Sequence, residues 1–477
     1  MLTISDHKHS RRAFLQVGSL ALGSLALTDL LAIKTKSADS TRPLVKDKSV
    51  IFLFLHGGPS QTETFDPKMT APVEFRSATG EVATNISGIT FGGTFPRMAR
   101  MADHVTVVRS FVTGDGNHDI KPVAGRDTFG ANFGSIYARV AGRVHPQTCM
   151  PTNITLFPRA VEPRAQQANM SFGRFTSPGI FGPSYAPFDP SGGGDLQNDM
   201  RLSMPLARLN DRRQLLAQLD QVRWRLAESR MLDGMDRVRE QALDTVLGGV
   251  ADGFKLDKED PRVLARYDTA PLVRPENINR RWNNYNNYVD NARCLGKLLL
   301  LARRLCERGC GFVTVTTNFV WDMHADVNNA PVAEGMGYMG VPLDYALSAF
   351  LADVAARGLS DKILLVVCGE MGRTPRINRN GGRDHWGNIA PLLLAGGGLR
   401  MGQVIGRSDR VAGAPATTPI RIQNLLATIL HTVFDVGQLR LIAGMPREIA
   451  QTMTGTSRMR ARVMRLGRFK TMPLDRA

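Results

Sequence analysis

Short apolar and β-branched runs recur along the chain and predict buried β-strands. They are bounded by glycine or polar residues, as strands of a compact domain usually are. Runs without strict alternation are typical of strands covered on both faces, as in a parallel sheet. The runs occupy residues 50–55, 105–108, 312–317, 363–368 and 391–394.

Apolar residues at helical spacing precede the third and fourth runs. Those between residues 292 and 305 end at Gly309, and those between 343 and 354 end at Gly358. Helix, glycine-containing loop and buried strand, twice in succession, predict parallel strands joined by right-handed crossovers. The predicted fold class is therefore α/β, with a doubly wound, mainly parallel sheet between helices.

The chain divides into three parts by composition. Residues 1–45 are a predicted leader and polar linker, 46–450 the α/β domain, and 451–477 a basic C-terminal tail. Within the domain, a charged, helix-prone stretch at about 200–290 predicts a helical insertion. The Gly-, Pro- and Ser-rich stretch at 172–194 predicts a long irregular loop, and such loops are often functional.

The leader has the pattern of a twin-arginine export signal. Arg11 and Arg12 are followed by Phe14 and Leu15 and then by an apolar run over residues 17–27. This run is shorter than the ~20 residues that span a bilayer. We expect export by the twin-arginine route to the periplasm or cell envelope, with the leader either removed or kept as an anchor.

Composition and charge narrow the class of partner. Hydrophobic residues make up 43% and charged residues 22% of the chain, as in soluble globular proteins, which argues against wholesale disorder. The net charge of +17 favours anionic partners. We expect the basic tail to face either solvent or an anionic membrane or cell-envelope surface. The basic residues lack the aromatic interleaving of a single-strand binder, so no cognate nucleic acid is expected.

Polar clusters able to ligate metals or transfer protons follow four of the predicted strands. The carboxyl ends of parallel strands meet at one edge of a sheet, so we expect the clusters to form one crevice there. They contain His56 and Asp66 after the first run, Ser110, Thr113 and His118 after the second, Asp322 and His324 after the third, and Glu370, Arg383 and His385 after the fourth.

These ligand types predict a site for a divalent metal. Imidazole and carboxylate together suit zinc, manganese or iron better than calcium, which prefers oxygen ligands alone. Asp322 and His324 point the same way if their segment is extended, so they are able to share one ion. Taken singly, each histidine is equally consistent with a hydrogen-bonded structural residue, and each aspartate with a helix cap.

Two motif matches are set aside. The Gly-x-Gly-x-x-Gly pattern at 335–340 follows a polar loop rather than a strand, so it does not predict a dinucleotide site. The sequence His56-Gly57-Gly58 is similar to an esterase oxyanion loop, but the chain has no Gly-x-Ser-x-Gly elbow. A serine hydrolase of that class is therefore not expected.

Six short segments form a recognisable set. They are HGGPSQ at 56–61, TFDP at 64–67, GDGNH at 114–118, WDMH at 321–324, GEMGRTP at 369–375 and RDHW at 383–386. Together with the leader they resemble the bacterial family called domain of unknown function 1501. The resemblance extends to about residue 445. This family is grouped with the alkaline phosphatase and sulfatase superfamily, whose mainly parallel sheet carries metal ions at the strand ends.

The resemblance implies a metal-dependent phosphoester or sulfoester hydrolase. In that superfamily a hydroxyl nucleophile attacks phosphorus or sulfur with the help of metal ions. By position, Glu370 resembles an acidic ligand after a central strand, Asp322 and His324 an Asp-His ligand pair, and His385 a later ligand or a substrate-binding histidine. We add His56 and Asp66 as metal ligands, with zinc or manganese as the ion.

The nucleophile is the point where the sequence departs from the superfamily. Ser110 and Thr113 are the hydroxyl candidates, with His118 and Arg383 as further catalytic candidates, and Arg383 is suited to hold an anionic ester group. No cysteine lies in the 110–118 segment, which argues against a formylglycine nucleophile. The alternatives are direct attack by water or a loss of catalysis.

Two functions of different class are consistent with these residues. The first is an exported metal-dependent hydrolase of anionic esters, carried by a glycan or lipid. The second is a non-catalytic envelope protein of the same fold that binds polyanions or assists another exported protein. Metal binding through Asp322, His324 and Glu370 favours the first, and salt-sensitive polyanion binding without metal favours the second.

Overall fold

The computed structural model describes residues 43–191 and 250–440. The twin-arginine leader, the basic tail and residues 192–249, which include much of the insertion predicted at about 200–290, lie outside these ranges. The strands are β1 Ser49–Phe54, β2 Glu81–Ala83, β3 Thr90–Gly92, β4 Thr106–Val112, β5 Asn153–Leu156, β6 Phe312–Thr316, β7 Ile363–Cys368, β8 Gly372–Arg373, β9 His385–Trp386, β10 Ala390–Gly396, β11 Gln403–Ile405 and β12 Ile420–Arg421. The α-helices are α1 Pro96–Ala99, α2 Phe133–Ala141, α3 Pro261–Arg266, α4 Tyr285–Glu307, α5 Val332–Ala356, α6 Ile422–Val433 and α7 Val436–Leu439.

An eight-stranded sheet lies at the centre of the described residues, in the order β11-β4-β10-β7-β1-β6-β5, with β12 beside β4. All of these strands run in one direction except β10, which is antiparallel to both neighbours. Two shorter hairpins, β2-β3 and β8-β9, lie outside it. The predicted α/β class with a mainly parallel sheet is confirmed.

The register brings three central strands to the same level. Phe54 at the end of β1 is opposite Thr316 at the end of β6 and opposite Cys368 at the end of β7. The loops that follow these strands therefore start side by side at one edge of the sheet, which is where ligands bind in open α/β folds.

Strand β1 is buried on both faces, as its apolar run predicts. Ile51 and Leu53 belong to a core shared with α4 and α5. Val50, Phe52 and Phe54 belong to a second core shared with α2 and α6. Because alternate side chains of a strand point to opposite faces, an uninterrupted apolar run is what this sandwich between two helical layers requires.

Both predicted helices are present, and each ends before the expected glycine. Helix α4 is followed by Gly309 at φ +99° and α5 by Gly358 at φ +66°, in the left-handed region where glycine is favoured. Helix α5 is long and apolar enough to cross a membrane, but 61% of its apolar window is buried, as in the core helix of a globular domain.

The discounted glycine pattern lies inside α5 rather than in a strand-to-helix turn. A Cβ atom at Gly340 would come within 2.4 Å of Thr94 Oγ1. This glycine therefore allows α5 to pack closely against the segment that contains Thr94. Helix α5 also packs against α1 and α4. The pattern therefore serves helix packing and forms no nucleotide loop.

The antiparallel direction of β10 was not expected from the sequence. Its physical reason is the β8-β9 hairpin between β7 and β10, which keeps the chain at the carboxyl edge of the sheet. A strand that re-enters the sheet from the edge where its predecessor left must run in the opposite direction. His385, at the start of β9, is thereby held at the carboxyl edge.

Candidate metal centre

Four side chains converge at the carboxyl edge of the sheet. His118 follows β4, Asp322 and His324 follow β6, and His385 begins β9. One ligand atom from each lies within 4.8 Å of all the others, and we call these four residues the metal group. Nε2 of His324 lies 2.8 Å from Asp322 Oδ1 and 2.7 Å from Nε2 of His385.

The turn after β1 supports this group through its backbone. Gly57 has φ +115°, and a Cβ atom there would lie 2.6 Å from the backbone nitrogen of Asp322. The backbone N–H groups of Val320 and Trp321 donate to the carbonyl of His56 at 3.1 and 3.0 Å. A glycine at position 57 is therefore required for the close approach of the two loops.

In two histidines of the metal group, the ring nitrogen Nδ1 faces away from the group and lies next to a carboxylate. His118 Nδ1 lies 3.0 Å from Glu370 Oε1, and His324 Nδ1 lies 3.4 Å from Asp384 Oδ1. A carboxylate on Nδ1 holds the proton there and leaves a lone pair on Nε2. This pairing is typical of metal-ligating histidines, whose outer partners fix the ring and its tautomer.

Glu370 thus lies behind His118 rather than among the four ligand residues. Its side chain is fully buried, and Oε1 also accepts the backbone N–H of Gly57 at 2.8 Å. Its other oxygen, Oε2, has no hydrogen-bond partner among the described residues. The structure accordingly supports Glu370 as an outer partner of His118, in place of the direct ligand predicted from the sequence.

Arg373, in β8, ties the loops of the metal group together. Its guanidinium is 1% exposed and donates to Asp322 Oδ1 and to the carbonyl of Gly57. Nε donates to the carbonyl of Gly58 at 2.8 Å, and Nη1 to that of Arg383 at 3.2 Å. The charge of Arg373 therefore balances the Asp322 carboxylate while its donors hold three loops in place.

These contacts shift the titration of two residues in the group. Burial alone would raise the pKa of the Asp322 carboxyl, but the charge of Arg373 and the histidine hydrogen bonds hold that pKa well below its usual range. Burial would lower the pKa of His118, but hydrogen bonds to Asp322 and Glu370 raise it overall. The surroundings thus stabilise positive charge next to an ionised carboxylate.

The donor set of the metal group fits a zinc or manganese ion. It offers imidazole nitrogens and one carboxylate oxygen, the ligands that these ions accept in proteins. Moreover, the His324 and His385 Nε2 atoms are 2.7 Å apart, and two lone pairs at that distance repel unless a proton or a cation lies between them. His118, Asp322, His324 and His385 are the residues that would hold the ion.

His56, predicted as a ligand, lies next to the metal group but outside it. Its ring is 1% exposed and packs among Phe54, Phe172, Phe175 and Phe319, with centroids 5.0 to 5.9 Å away. Neither ring nitrogen has a hydrogen-bond partner within the described part of the chain. Burial lowers the pKa of His56 to about 4, so its ring is neutral at pH 7.

Asp66, also predicted as a ligand, belongs to a different polar cluster. Its Oδ1 lies 3.3 Å from Lys68 Nζ and 3.5 Å from Arg109 Nη1, and its Oδ2 accepts the hydroxyl of Ser408. Lys68 and Arg109 therefore neutralise the charge of the Asp66 carboxylate in this cluster. The structure does not bring it into the metal group.

The Arg383 side chain bonds to other buried groups of the protein and not to the metal group. It is fully buried, and its Nη2 donates to Glu63 Oε1 at 3.0 Å. Further donors are taken up by the carbonyls of Phe75, Arg76 and Pro375. In place of the predicted contact with an anionic ester, these bonds anchor the loop that carries His385.

The two hydroxyl candidates for the nucleophile are buried. Ser110 lies inside β4, where a Cβ atom at Gly406 would come within 2.1 Å of its Oγ. Thr113 follows the end of β4 and is 8% exposed. Neither hydroxyl has a hydrogen-bond partner among the residues described, so neither is bonded to the metal group.

The loop that presents His118 is fixed by a single lysine. Lys121 is 7% exposed, and its Nζ lies 2.5 Å from Asp115 Oδ1 and 2.7 Å from Asp119 Oδ1. These two aspartates flank His118 in the sequence.

The sequence did not predict that Lys121, Arg373 and Asp384 would hold the side chains of the metal group in place, although Asp384 lies within the RDHW segment.

No curated protein matches the chain in sequence. One similar solved structure is the PsFucS1 sulfatase from Pseudoalteromonas sp., with 11% identity and a TM-score of 0.34 over 81% of this chain and 68% of that one. A second is the lipoteichoic acid synthase LtaP from Listeria monocytogenes, with 9% identity and a TM-score of 0.31 over 85% of this chain and 78% of that one.

A third similar structure is Ps i-CgsB in complex with k-i-k-neocarrahexaose. It has 8% identity and a TM-score of 0.32 over 85% of this chain and 77% of that one. At TM-scores this low, the chemistry of the metal group has to be inferred from its own residues. In sequence, the profile described as "Protein of unknown function (DUF1501)" matches residues 47–443, which is most of the chain. The chain therefore belongs to this family.

Proposed function

We propose that the protein is an exported metal-dependent hydrolase of anionic esters, either phosphoesters or sulfoesters. The observation that carries this proposal is the convergence of His118, Asp322, His324 and His385 ligand atoms within 4.8 Å of one another. Their position at the carboxyl edge of a mainly parallel sheet is where α/β enzymes bind their ligands. The twin-arginine pattern at 10–27 supports export.

The residues around the ion have separate tasks. A zinc or manganese ion in the metal group would supply Lewis acidity, which stabilises charge developing on a phosphoryl or sulfuryl oxygen and makes water more acidic. Glu370 and Asp384 keep Nε2 of His118 and His324 directed into the group. Arg373 holds the Asp322 carboxylate ionised and in place.

We propose water, rather than a side-chain hydroxyl, as the attacking group. The hydroxyls of Ser110 and Thr113 are buried and are not bonded to the metal group. In the reaction the water oxygen bonds to phosphorus or sulfur and the ester bond to the leaving oxygen breaks. One proton of the water ends on the leaving alcohol, so the products are an alcohol and inorganic phosphate or sulfate.

The substrate that we propose is an ester carried by a glycan or lipid of the cell envelope. The net charge of +17 favours anionic substrates and surfaces. The Phe172 and Phe319 rings lie 4.6 Å apart and are 5.0 and 4.7 Å from the His118 ring, so an apolar wall borders the metal group. Such a wall suits the organic part of an ester, while the metal group suits its anionic part.

The test is hydrolysis of p-nitrophenyl phosphate and p-nitrophenyl sulfate after the protein is stripped with a chelator and reloaded with zinc or manganese. We expect His324→Ala to lower kcat/KM by more than about 100-fold, because losing an outer-shell partner alone costs about 10–100-fold. His104→Ala is the matched control, since this histidine is exposed and outside the metal group. Hydrolysis that survives both stripping and His324→Ala would refute the proposal.

A further inference from the structure

Four asparagine side chains form a chain of hydrogen bonds that ends at Asp322. In each bond the Nδ2 group of one amide donates to the side-chain oxygen of the next. The donor and acceptor pairs are Asn318 to Asn287 at 3.2 Å, Asn287 to Asn284 at 2.9 Å, Asn284 to Asn329 at 2.6 Å, and Asn329 to Asp322 at 3.4 Å. We call these four residues the amide chain.

The amide chain contacts the oxygen of Asp322 that faces away from the histidines. Oδ1 of Asp322 lies close to Nε2 of His118, His324 and His385, whereas Nδ2 of Asn329 contacts Oδ2. Asn329 is 2% exposed, so this bond is shielded from water, and the same Nδ2 group also donates to Asp326 Oδ1 at 3.2 Å. Because Asn329 holds Oδ2, the Asp322 carboxylate presents Oδ1 to the metal group in a fixed direction.

The side chain of Asn284 takes part in the amide chain and does not cap its own helix. It occupies the N-cap position of α4, where an asparagine side chain usually accepts a backbone N–H of the first turn. Here the Asn284 side chain makes no capping bond, and its oxygen accepts Nδ2 of Asn287 instead. The backbone of Asn284 also donates to the carbonyl of Asn328 at 3.2 Å, which fixes the start of α4 against the segment that carries Asn329.

The far end of the amide chain meets the segment that leads into the irregular loop predicted at 172–194. Asn318 follows β6 with φ +36°, a conformation that is costly for a residue with a Cβ atom. Its side-chain oxygen accepts the backbone N–H of Asn169 at 3.3 Å. Three residues later Phe172 begins that loop, and its ring lies 5.0 Å from the His118 ring. The segment from Asn169 to Phe172 therefore touches the metal group directly and also through the amides.

We infer that the amide chain positions Asp322 for the metal ion and couples the loop around Asn169 to the metal group. This inference rests on the proposed function, since it takes the metal group to bind an ion. Each amide both accepts and donates, so the bonds polarise one another and orient the last donor. Outer partners of metal ligands commonly change metal affinity by about 10–100-fold when they are removed.

The test compares zinc dissociation constants, measured by competition with a chromophoric chelator. We expect Asn329→Ala to weaken zinc binding by about 10–100-fold and Asn287→Ala, which touches no ligand, by about tenfold. The matched control is Asn283→Ala, because Asn283 lies in the same segment but its side chain donates to the exposed Asn328 side chain, at 2.8 Å, and not to the amide chain. This control should bind zinc as the wild type does.

A double variant separates positioning from a general loss of stability. If the amides act as one unit, Asn287→Ala combined with Asn329→Ala should bind zinc no more weakly than Asn329→Ala alone. Asn287→Asp provides a second, isosteric variant that keeps an acceptor for Asn318 but places an oxygen against that of Asn284. Circular dichroism and thermal unfolding show whether each variant is folded.

The outcomes distinguish this inference from the proposed function. Zinc binding by the wild type together with unchanged affinity in Asn287→Ala and Asn287→Asp overturns the amide chain and leaves the metal group intact. Additive losses in the double variant also overturn it, because independent sites add. No zinc binding by the wild type overturns the proposed function, and the inference with it.

Discussion

Asp322→Ala is expected to weaken zinc or manganese binding by more than about 100-fold and to lower the free energy of unfolding by about 3–5 kcal/mol. The first effect follows because Asp322 supplies the carboxylate oxygen on which the three histidines converge. The second follows because Arg373 is 1% exposed and would lose its counter-charge in the protein interior. Isothermal titration and urea denaturation measure the two effects separately.

Two companion variants make this prediction specific. Asp322→Asn keeps the shape of the side chain, so it should lose most of the metal affinity while packing as the aspartate does. Asp361→Asn removes an exposed carboxylate outside the metal group and should change neither quantity. Wild-type metal affinity in Asp322→Ala would show that the metal group is not a metal site.

Glu63→Ala is expected to lower the free energy of unfolding by about 3–5 kcal/mol, although Glu63 touches none of the ligands. Glu63 and Arg383 are both fully buried and lie 3.0 Å apart. Glu63 also accepts the hydroxyl of Ser77 at 2.9 Å and the backbone N–H of Ala78 at 3.1 Å. Removing Glu63 leaves the buried Arg383 guanidinium without its counter-charge, which costs far more than the loss of a surface pair.

Urea denaturation tests this second prediction. The control is Asp47→Ala, which breaks an exposed pair with Lys362 and should change stability little. The double variant Glu63→Ala with Arg383→Met should be less destabilised than Glu63→Ala alone, since no unpaired charge stays buried. A Glu63→Ala variant as stable as the control would contradict the role given to this pair.

The strands and the site edge could be predicted from the sequence because their causes are local. A strand covered on both faces needs a continuous apolar run, and 50–55 and 363–368 are such runs, whereas 312–317 is rich in β-branched residues. Parallel strands then put the following loops at one edge whatever their sequence. This is why Asp322 and His324, separated along the chain from His118 by more than two hundred residues, could be expected near it.

The roles of individual residues could not be predicted, because long-range contacts decide them. His56 and His118 both follow buried strands, but His56 is surrounded by phenylalanine rings, whereas His118 lies between two carboxylates. Asp66 and Arg383 have the right chemistry for the site, but each is paired elsewhere, with Arg109 and Glu63 respectively. Residue type alone does not distinguish these cases.

The amide chain could not be predicted from the sequence either, because it also depends on long-range contacts. Asparagine is common in turns and at helix starts, so the residues around 283–291 predict only the beginning of a helix. Their alignment depends on the segment that follows β6, which brings Asn318 and Asn329 against α4. Likewise, the direction of β10 depends on the β8-β9 hairpin, which consists of two residues on each side.

The central claim is that His118, Asp322, His324 and His385 bind a metal ion. The most direct measurement is the metal content per chain, by elemental analysis, of wild type and Asp322→Asn purified side by side and then dialysed against zinc or manganese. The account predicts a stoichiometric ion in the wild type and none retained by the variant. A wild type without bound metal after this reconstitution, or equal metal content in both proteins, would contradict it.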